Sequence, residues 1–210
     1  MKVKLISKTQ PEVTNSNTEF IAYVARVSST RSKNNRHKEY NTLLKYLIAN
    51  KHWSPFEHVY LSFEIVTNIS ISMQLLRHRS MVFQQLSRRY NSESPEFEPI
   101  ELRVQSKVNR QGGDELFDDT DHKFADRILK LQELCAALYM DMINAGVANE
   151  CARGVLPQSL QTELIMTGNV RSWLHFLNLR MDAHAQKEAR LIAQEIERLL
   201  RLELPELFDL

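Results

Sequence analysis

The stretch Arg77-His78-Arg79-Ser80-Met81-Val82-Phe83-Gln84-Gln85-Leu86-Ser87-Arg88-Arg89-Tyr90 gathers four arginines and a histidine into fourteen residues of a chain whose formal net charge is only +1. Like charges held this close repel, so the fold must either spread them into water or turn them towards an anion. Upstream, Ile69 to Leu76 is largely apolar and predicts a helix running into the cluster. On that helix Gln74, Arg77 and His78, spaced i, i+3 and i+4, share one face. Gln84, Gln85 and Ser87 interleave amides and a hydroxyl with the charges, a mixture suited to a phosphate and a polar ring. The cluster contains no lysine, and planar bidentate recognition prefers arginine where solubility alone does not. The plainer alternative is a solvated basic helix end that complements the helix dipole.

Composition narrows the class. With 210 residues, 43% hydrophobic and 25% charged, the chain suits a soluble globular protein with one sizeable core or two small ones. A near-neutral charge balance disfavours a general nucleic-acid binder, whose affinity comes from neutralising phosphates. No apolar run approaches a membrane span, and the start at Met1 to Ser7 is too short for a secretory signal. The expected location is the cytoplasm, or the host cytoplasm for a viral protein. Cys135 and Cys151 lack metal-ligand spacing and are expected to be small buried hydrophobes in a reducing compartment; no metal site is expected.

Periodicity predicts an α+β fold: one domain over residues 1–210, with an antiparallel or mixed sheet and several long helices. Lys2–Ser7 and His58–Val66 alternate as strands, the second with Val59, Leu61, Phe63 and Ile65 inward. Thr18 to Val27 reads as a helix, with Phe20, Ile21, Val24 and Val27 on its period, and Ser28 to Arg36 reads as a polar loop. Helices are expected at 39–50, with Leu43, Leu44, Tyr46, Leu47 and Ile48 apolar, and at 121–145 and 186–203. The middle one begins at the acidic run Asp118 to Asp121, ends at Gly146, and carries an apolar stripe at 124, 128, 131, 134, 138 and 142 that should anchor it. Asn91 to Gly113 reads as a surface excursion whose one strand-like piece is Val104 to Val108. Leu160 to Thr167 fits a strand or a helix equally.

Three further segments carry chemistry. In His52-Trp53-Ser54-Pro55-Phe56-Glu57-His58, Pro55 should hold Ser54 extended and make the connector stiff. Arg153 ends a short helical turn stopped by Gly154 and Pro157. In Asn169 to Gln186, a helix would place Leu177, Arg180 and His184 on one face, a pattern also given by a charged rim around a core.

These segments together resemble the flavin-dependent thymidylate synthases. The family signature Arg-His-Arg, seven residues, Ser stands here as Arg77-His78-Arg79 and Ser87, followed by Arg89 and Tyr90. The connector is similar to the family's His-x-[Ser/Thr]-Pro-Phe-Glu-His, Ala152-Arg153-x-x-Leu156-Pro157 to its Ala-Arg-x-x-Leu-Pro, and Phe176-Leu177-Asn178-Leu179-Arg180-x-Asp182-x-His184-Ala185-Gln186 to its second signature. The likeness covers roughly residues 40–90 and 147–200. Val82 and Gln84 stand where the pattern often has Ser and Asn, His175 where many relatives have Asn, and Gln85 where the family has an acidic residue.

The resemblance implies FAD bound by Ser54, Arg77, His78, Arg79, Gln85, Asn169, Arg171, His175 and His184, with His52 a further candidate. It implies dUMP bound by Gln74, Arg77, Gln85, Leu86, Ser87, Arg88, Arg89, Arg153 and Arg180, with Ser87 and Arg89 on the phosphate. NADPH and 5,10-methylenetetrahydrofolate are the implied co-substrates, and a homotetramer with shared sites the implied assembly, Arg153 reaching a neighbouring subunit's nucleotide. The implied catalytic group is Arg180. Methylating uracil C5 requires electron density to be pushed into the ring, by a thiolate at C6 or by polarising N3 and O4. Neither cysteine has a basic neighbour in sequence to activate it, whereas a guanidinium can serve the second route. Two other classes stay open: a nucleotide-binding regulatory module without turnover, and a small RNA-binding protein using Arg77 to Arg89.

Overall fold

The computed structural model describes residues 1–28 and 39–208. The expected loop at 28–36 therefore lies, beyond Ser28, outside the described residues. Alternation makes Lys2–Lys8 a strand, β1, one residue longer than expected. Helix α1 (Asn17–Ala25) starts where the Ser16 hydroxyl accepts from the Glu19 N–H at 3.1 Å, one residue earlier than expected, and ends two residues earlier. Helix α2 (Asn41–Ala49) buries Leu44 and Leu47, but Tyr46 is exposed and sets its ring edge-on to His52, contrary to expectation.

Strand β2 (Tyr60–Asn68) turns Leu61, Phe63 and Ile65 inward, as its alternation predicts, but starts two residues later. It passes directly into helix α3 (Ile69–Leu75), because the Asn68 carboxamide oxygen accepts from the Ile71 N–H at 3.0 Å. The helix stops at Leu75 with Leu76 as its cap, so Gln74, Arg77 and His78 do not share a helix face. The basic cluster is instead a turn followed by a strand, β3 (Val82–Gln85), where β-branched and aromatic residues favour extension.

The excursion holds a hairpin, β4 (Arg103–Gln105) paired antiparallel with β5 (Gly113–Leu116) through an irregular register; its second arm was not expected. Helix α4 (Ala125–Asn144) starts later than predicted, with Phe124 as its N-cap; of the acidic run Asp119 alone reaches it, accepting from the Phe124 and Ala125 N–H groups. Those bonds hold the Asp119 carboxyl below its ordinary pKa, the Ala125 bond most. Gly146 ends the helix as expected, at φ +83°, a conformation that suits glycine. Helix α5 (Asn149–Ala152) and strand β6 (Gln161–Asn169) follow; buried Thr162, Leu164 and Met166 settle that segment as strand. Asn169 then repeats the role of Asn68, accepting from Ser172 N–H at 2.9 Å to open helix α6 (Val170–Arg180). Helix α7 (Lys187–Glu203) buries Ala189, Ile192, Ala193, Ile196 and Leu200 and leaves Leu191 exposed.

The fold is α+β. The main sheet has the strand order β1-β2-β6-β3. The chain gathers into two compact units: one of residues 1–2, 66–77 and 84–164, the other of residues 3–65, 78–83 and 165–210. The second is built round buried Phe56, Phe63, Trp173, Phe176, Ile192 and Ile196. The first has a thinner core of Ile71, Leu75, Tyr139, Leu160 and Leu164. Helix α4 does not anchor it as its stripe suggested, for Tyr139 is its one buried residue. The expected burial of both cysteines is also corrected: Cys135 is half-buried and Cys151 exposed, because each lies on a helix whose face meets little of its own unit. Among the described residues, no helix is long and apolar enough to cross a membrane.

Candidate active site

In the second unit, chemistry is built on α6. Gly168 lets the end of β6 come against the turn after Arg79, since a Cβ there would lie 2.0 Å from the Met81 sulfur. The Ser172 hydroxyl donates to the Ser80 carbonyl at 3.3 Å and fastens that turn to the helix start. One turn on, the Trp173 indole N–H donates to the carbonyls of Leu61 and Gly168 at 3.2 and 3.0 Å, locking a fully buried ring. Phe63, Trp173 and Phe176 meet edge to face, and the His78 imidazole stands on the last of them at 4.9 Å between centroids.

This aromatic floor explains the state of His78. Burial, and then Coulombic interaction with Arg180 and His175, lowers its pKa to about 4. Its Nε2 accepts a hydrogen bond from Arg180 Nε at 2.9 Å, so the ring is neutral with its proton on Nδ1. Burial also lowers the pKa of the half-buried Arg180 guanidinium, which nevertheless stays charged. The site thus fixes one edge of a guanidinium with a neutral acceptor on a rigid stack. Arg79, next to this pair in sequence, is exposed.

Beside the helix start lies a cleft of about 960 Å³ lined by Trp53, Glu57, Asn169, Arg171, His175 and Asn178, among others. Asn169, Arg171 and His175 are expected flavin ligands, and the structure brings them together. Exposed Arg171 forms an ion pair with half-buried Glu57. Trp53, Glu57 and Asn178 were missed as lining residues, although Glu57 lies in the connector motif and Asn178 in the last signature. Ser54 is exposed at the start of a 3-10 turn, Ser54–His58, and not in an extended connector. Pro55 suits that turn, where its missing N–H costs nothing. His184 departs from expectation too. Helix α6 ends at Arg180, so His184 shares no helix face with it. Its exposed ring pairs with Asp182, whose carboxyl is held below its usual pKa by the His184 backbone N–H and then the His184 side chain.

In the first unit, the expected nucleotide residues form a second cluster. Gln85 Nε2 donates to the hydroxyls of Ser72 and Thr162 at 3.0 and 3.2 Å, which fixes the end of β3. The Leu86 N–H continues the pairing to the Glu163 carbonyl. Ser87 then opens a turn, its carbonyl accepting from Tyr90 and Asn91. Arg89 is exposed and pairs with Glu150 at 3.1 Å, while its carbonyl accepts from Asn149 Nδ2. Arg89, Tyr90, Asn149 and Glu150 line a shallow cleft of about 240 Å³. Arg153 is exposed and donates to the Glu150 carbonyl at 3.4 Å, on the same short helical corner. Gln74 is half-buried on α3, and Arg77 exposed just beyond it.

Arg88 behaves differently from its neighbours. Its guanidinium lies over the Tyr139 ring at 5.9 Å and donates to the Glu93 carbonyl at 2.7 Å. Tyr139 in turn donates its hydroxyl to Asn91 O at 3.3 Å. The Arg88 side chain braces the turn against α4. Tyr139, Asn149 and Glu150 carried no sequence signal, because their roles arise from contacts distant along the chain.

Likeness to known proteins extends along nearly the whole chain. A family described as thymidylate synthase complementing protein matches residues 4–206. The chain is 39% identical over 208 residues to a "Probable flavin-dependent thymidylate synthase" of Paramecium bursaria Chlorella virus 1, covering 98% of this chain and 96% of that one. Identity to the flavin-dependent thymidylate synthase of Synechocystis sp. is also 39%, over 211 residues and the same shares. For that of Kosmotoga olearia it is 37% over 171 residues, 80% of this chain and 74% of the relative. A match this continuous, through both clusters and the segments between them, shows that the chain belongs to the thymidylate synthase complementing protein family.

Proposed function

We propose that this chain is a flavin-dependent thymidylate synthase: it converts dUMP to dTMP with 5,10-methylenetetrahydrofolate as carbon donor and NADPH-reduced FAD as hydride source. The observation that carries the reading is the Arg180–His78 pair, a charged guanidinium fixed by a neutral imidazole on a buried aromatic stack. A carboxylate in the place of His78 would neutralise the charge that uracil needs at N3 and O4. A neutral acceptor orients the guanidinium and leaves its charge intact.

The cleft on α6 fits a flavin. Its volume of about 960 Å³ is at the upper end of the roughly 300–1,000 Å³ usual for ligand sites. It offers an indole face at Trp53, a cation at Arg171 and amides at Asn169 and Asn178. Bound there, reduced FAD would supply the hydride that completes the methyl group. We assign the flavin to Ser54, Arg77, His78, Arg79, Gln85, Asn169, Arg171, His175 and His184, on the family pattern. Arg89 and Ser87 hold the dUMP phosphate as positioning groups, with Gln74, Gln85, Leu86, the Arg88 backbone and Arg153 completing the nucleotide site. The match over residues 4–206 supports treating the chain as one catalytic domain; on the family resemblance we assign it to the cytoplasm and to a homotetramer with shared sites.

Purified protein tests this directly. A bound chromophore with flavin absorbance that bleaches on adding NADPH, and dTMP formed from dUMP and the folate donor, are the expected results. A colourless protein that binds neither FAD nor dUMP would overturn the proposal.

A further inference from the structure

Helix α4 (Ala125–Asn144) buries only Tyr139 and turns a row of leucines outward: Leu131, Leu134 and Leu138 are 55, 66 and 45% exposed. With Arg127 before them and Asp141 after, their spacing runs four, three, four, three, the seam of a helix that packs along another helix. The charged ends say what that other helix is. Arg127 lies seven residues before Leu134 and Asp141 seven after it. A two-fold axis through Leu134 therefore lays a second α4 antiparallel on the first, with Arg127 of each copy meeting Asp141 of the other. Leu131 then falls beside Leu138, and Leu134 meets its own equivalent. Neither Arg127 nor Asp141 has an ion pair within the chain among the described residues, so both remain available to close the seam.

We propose that α4 is the seam between two copies of this chain, antiparallel about an axis at Leu134 and closed at both ends by Arg127 and Asp141. The proposal rests on the self-association put forward above and names its surface. An unrelated helix would fill the leucine row equally well, but it would have no reason to carry the complementary charges at equal distances from the centre.

Sedimentation velocity on the full chain gives the first test. Leu134→Glu should halve the mass of the assembly. Arg127→Glu and Asp141→Arg alone should each weaken it on the order of tenfold, and the double exchange should restore it, because each repulsion becomes an attraction again. A cross-link covers the case in which a variant folds poorly. Leu134→Cys, with Cys135 and Cys151 replaced by Ser, should oxidise to a covalent dimer, since a disulfide needs Cβ atoms about 3.5–4.5 Å apart and the axis brings the two together. An oligomer whose mass is unchanged by Leu134→Glu and which gives no cross-link overturns the seam while the assembly stands. A wild-type chain that stays monomeric at all concentrations overturns the seam and the homotetramer together.

Discussion

Arg180 is held at one edge by His78 and keeps its charge, so its contribution to turnover should depend on shape as well as sign. Arg180→Lys retains the charge and loses the planar fork. Methyl transfer should fall roughly 10²-fold, the size seen when one preorganised donor is removed, while reduction of the flavin by NADPH is little changed. Stopped-flow measurement of the two half-reactions separates these, and near wild-type dTMP formation would make Arg180 structural. His78 makes a prediction about acidity. Its pKa falls from the ordinary 6.5 to about 4 in the folded chain. The unfolded chain therefore takes up this proton first as pH drops, so the stability from the neutral ring is complete above pH 6.5 and is lost between there and about 4. At most about 3 kcal/mol is involved, and denaturant melts across that window should flatten in His78→Gln. Arg89 already has an anion, the Glu150 carboxylate. A phosphate must displace it, so Glu150→Gln should tighten dUMP several-fold, as the loss of an exposed pair worth up to about 1 kcal/mol allows. Arg89→Ala should weaken dUMP by about 1.5–3 kcal/mol. Deoxyuridine affinity should follow neither change.

At the scale of elements, the decisive features are strand ends. Asn68 and Asn169 each close a strand and cap the helix that follows with no loop between. Gly168 allows the second of these junctions to press on Met81. Gly168→Ala should cost about 1–3 kcal/mol, as overpacking does in a buried site. Met81→Val should restore part of the loss, and thermal melts of the single and double variants check both. The elements themselves were largely legible, since β1, β2, α2, α4 and α7 follow from apolar periods and α+β was the right class. Helix ends were not. The apolar run through Leu76 and the signature through His184 both continue a helical pattern past the last hydrogen-bonded turn, so Arg77, His78 and His184 were placed on helix faces they do not occupy. β3 was hidden because charge and amides dominate its surroundings. The nearness of Asn169, Arg171 and His175 at one cleft, with Arg180 on the same helix, was legible because their spacing is local. Pairings such as Arg180 with His78 or Arg88 with Tyr139 join residues far apart in the chain, and no periodicity reports them.

For the whole molecule, one chain gathers into two compact units, and each carries half of the assigned chemistry. Residues 84–164 hold the Ser87 turn on a thin core, whereas the α6 cleft stands on a dense aromatic one. The chain has two tryptophans, and both lie in that second unit. Trp173 is sealed from water and bonded to two carbonyls; Trp53 looks into the cleft. They are thus separate optical reporters. In Trp53→Phe the remaining emission should be blue-shifted, insensitive to iodide, and altered only by unfolding. In Trp173→Phe the emission should be quenched by iodide and extinguished stepwise by added FAD, giving a titration of cofactor occupancy that needs no turnover. Equal quenching of both variants by FAD would mean that the flavin does not sit against Trp53.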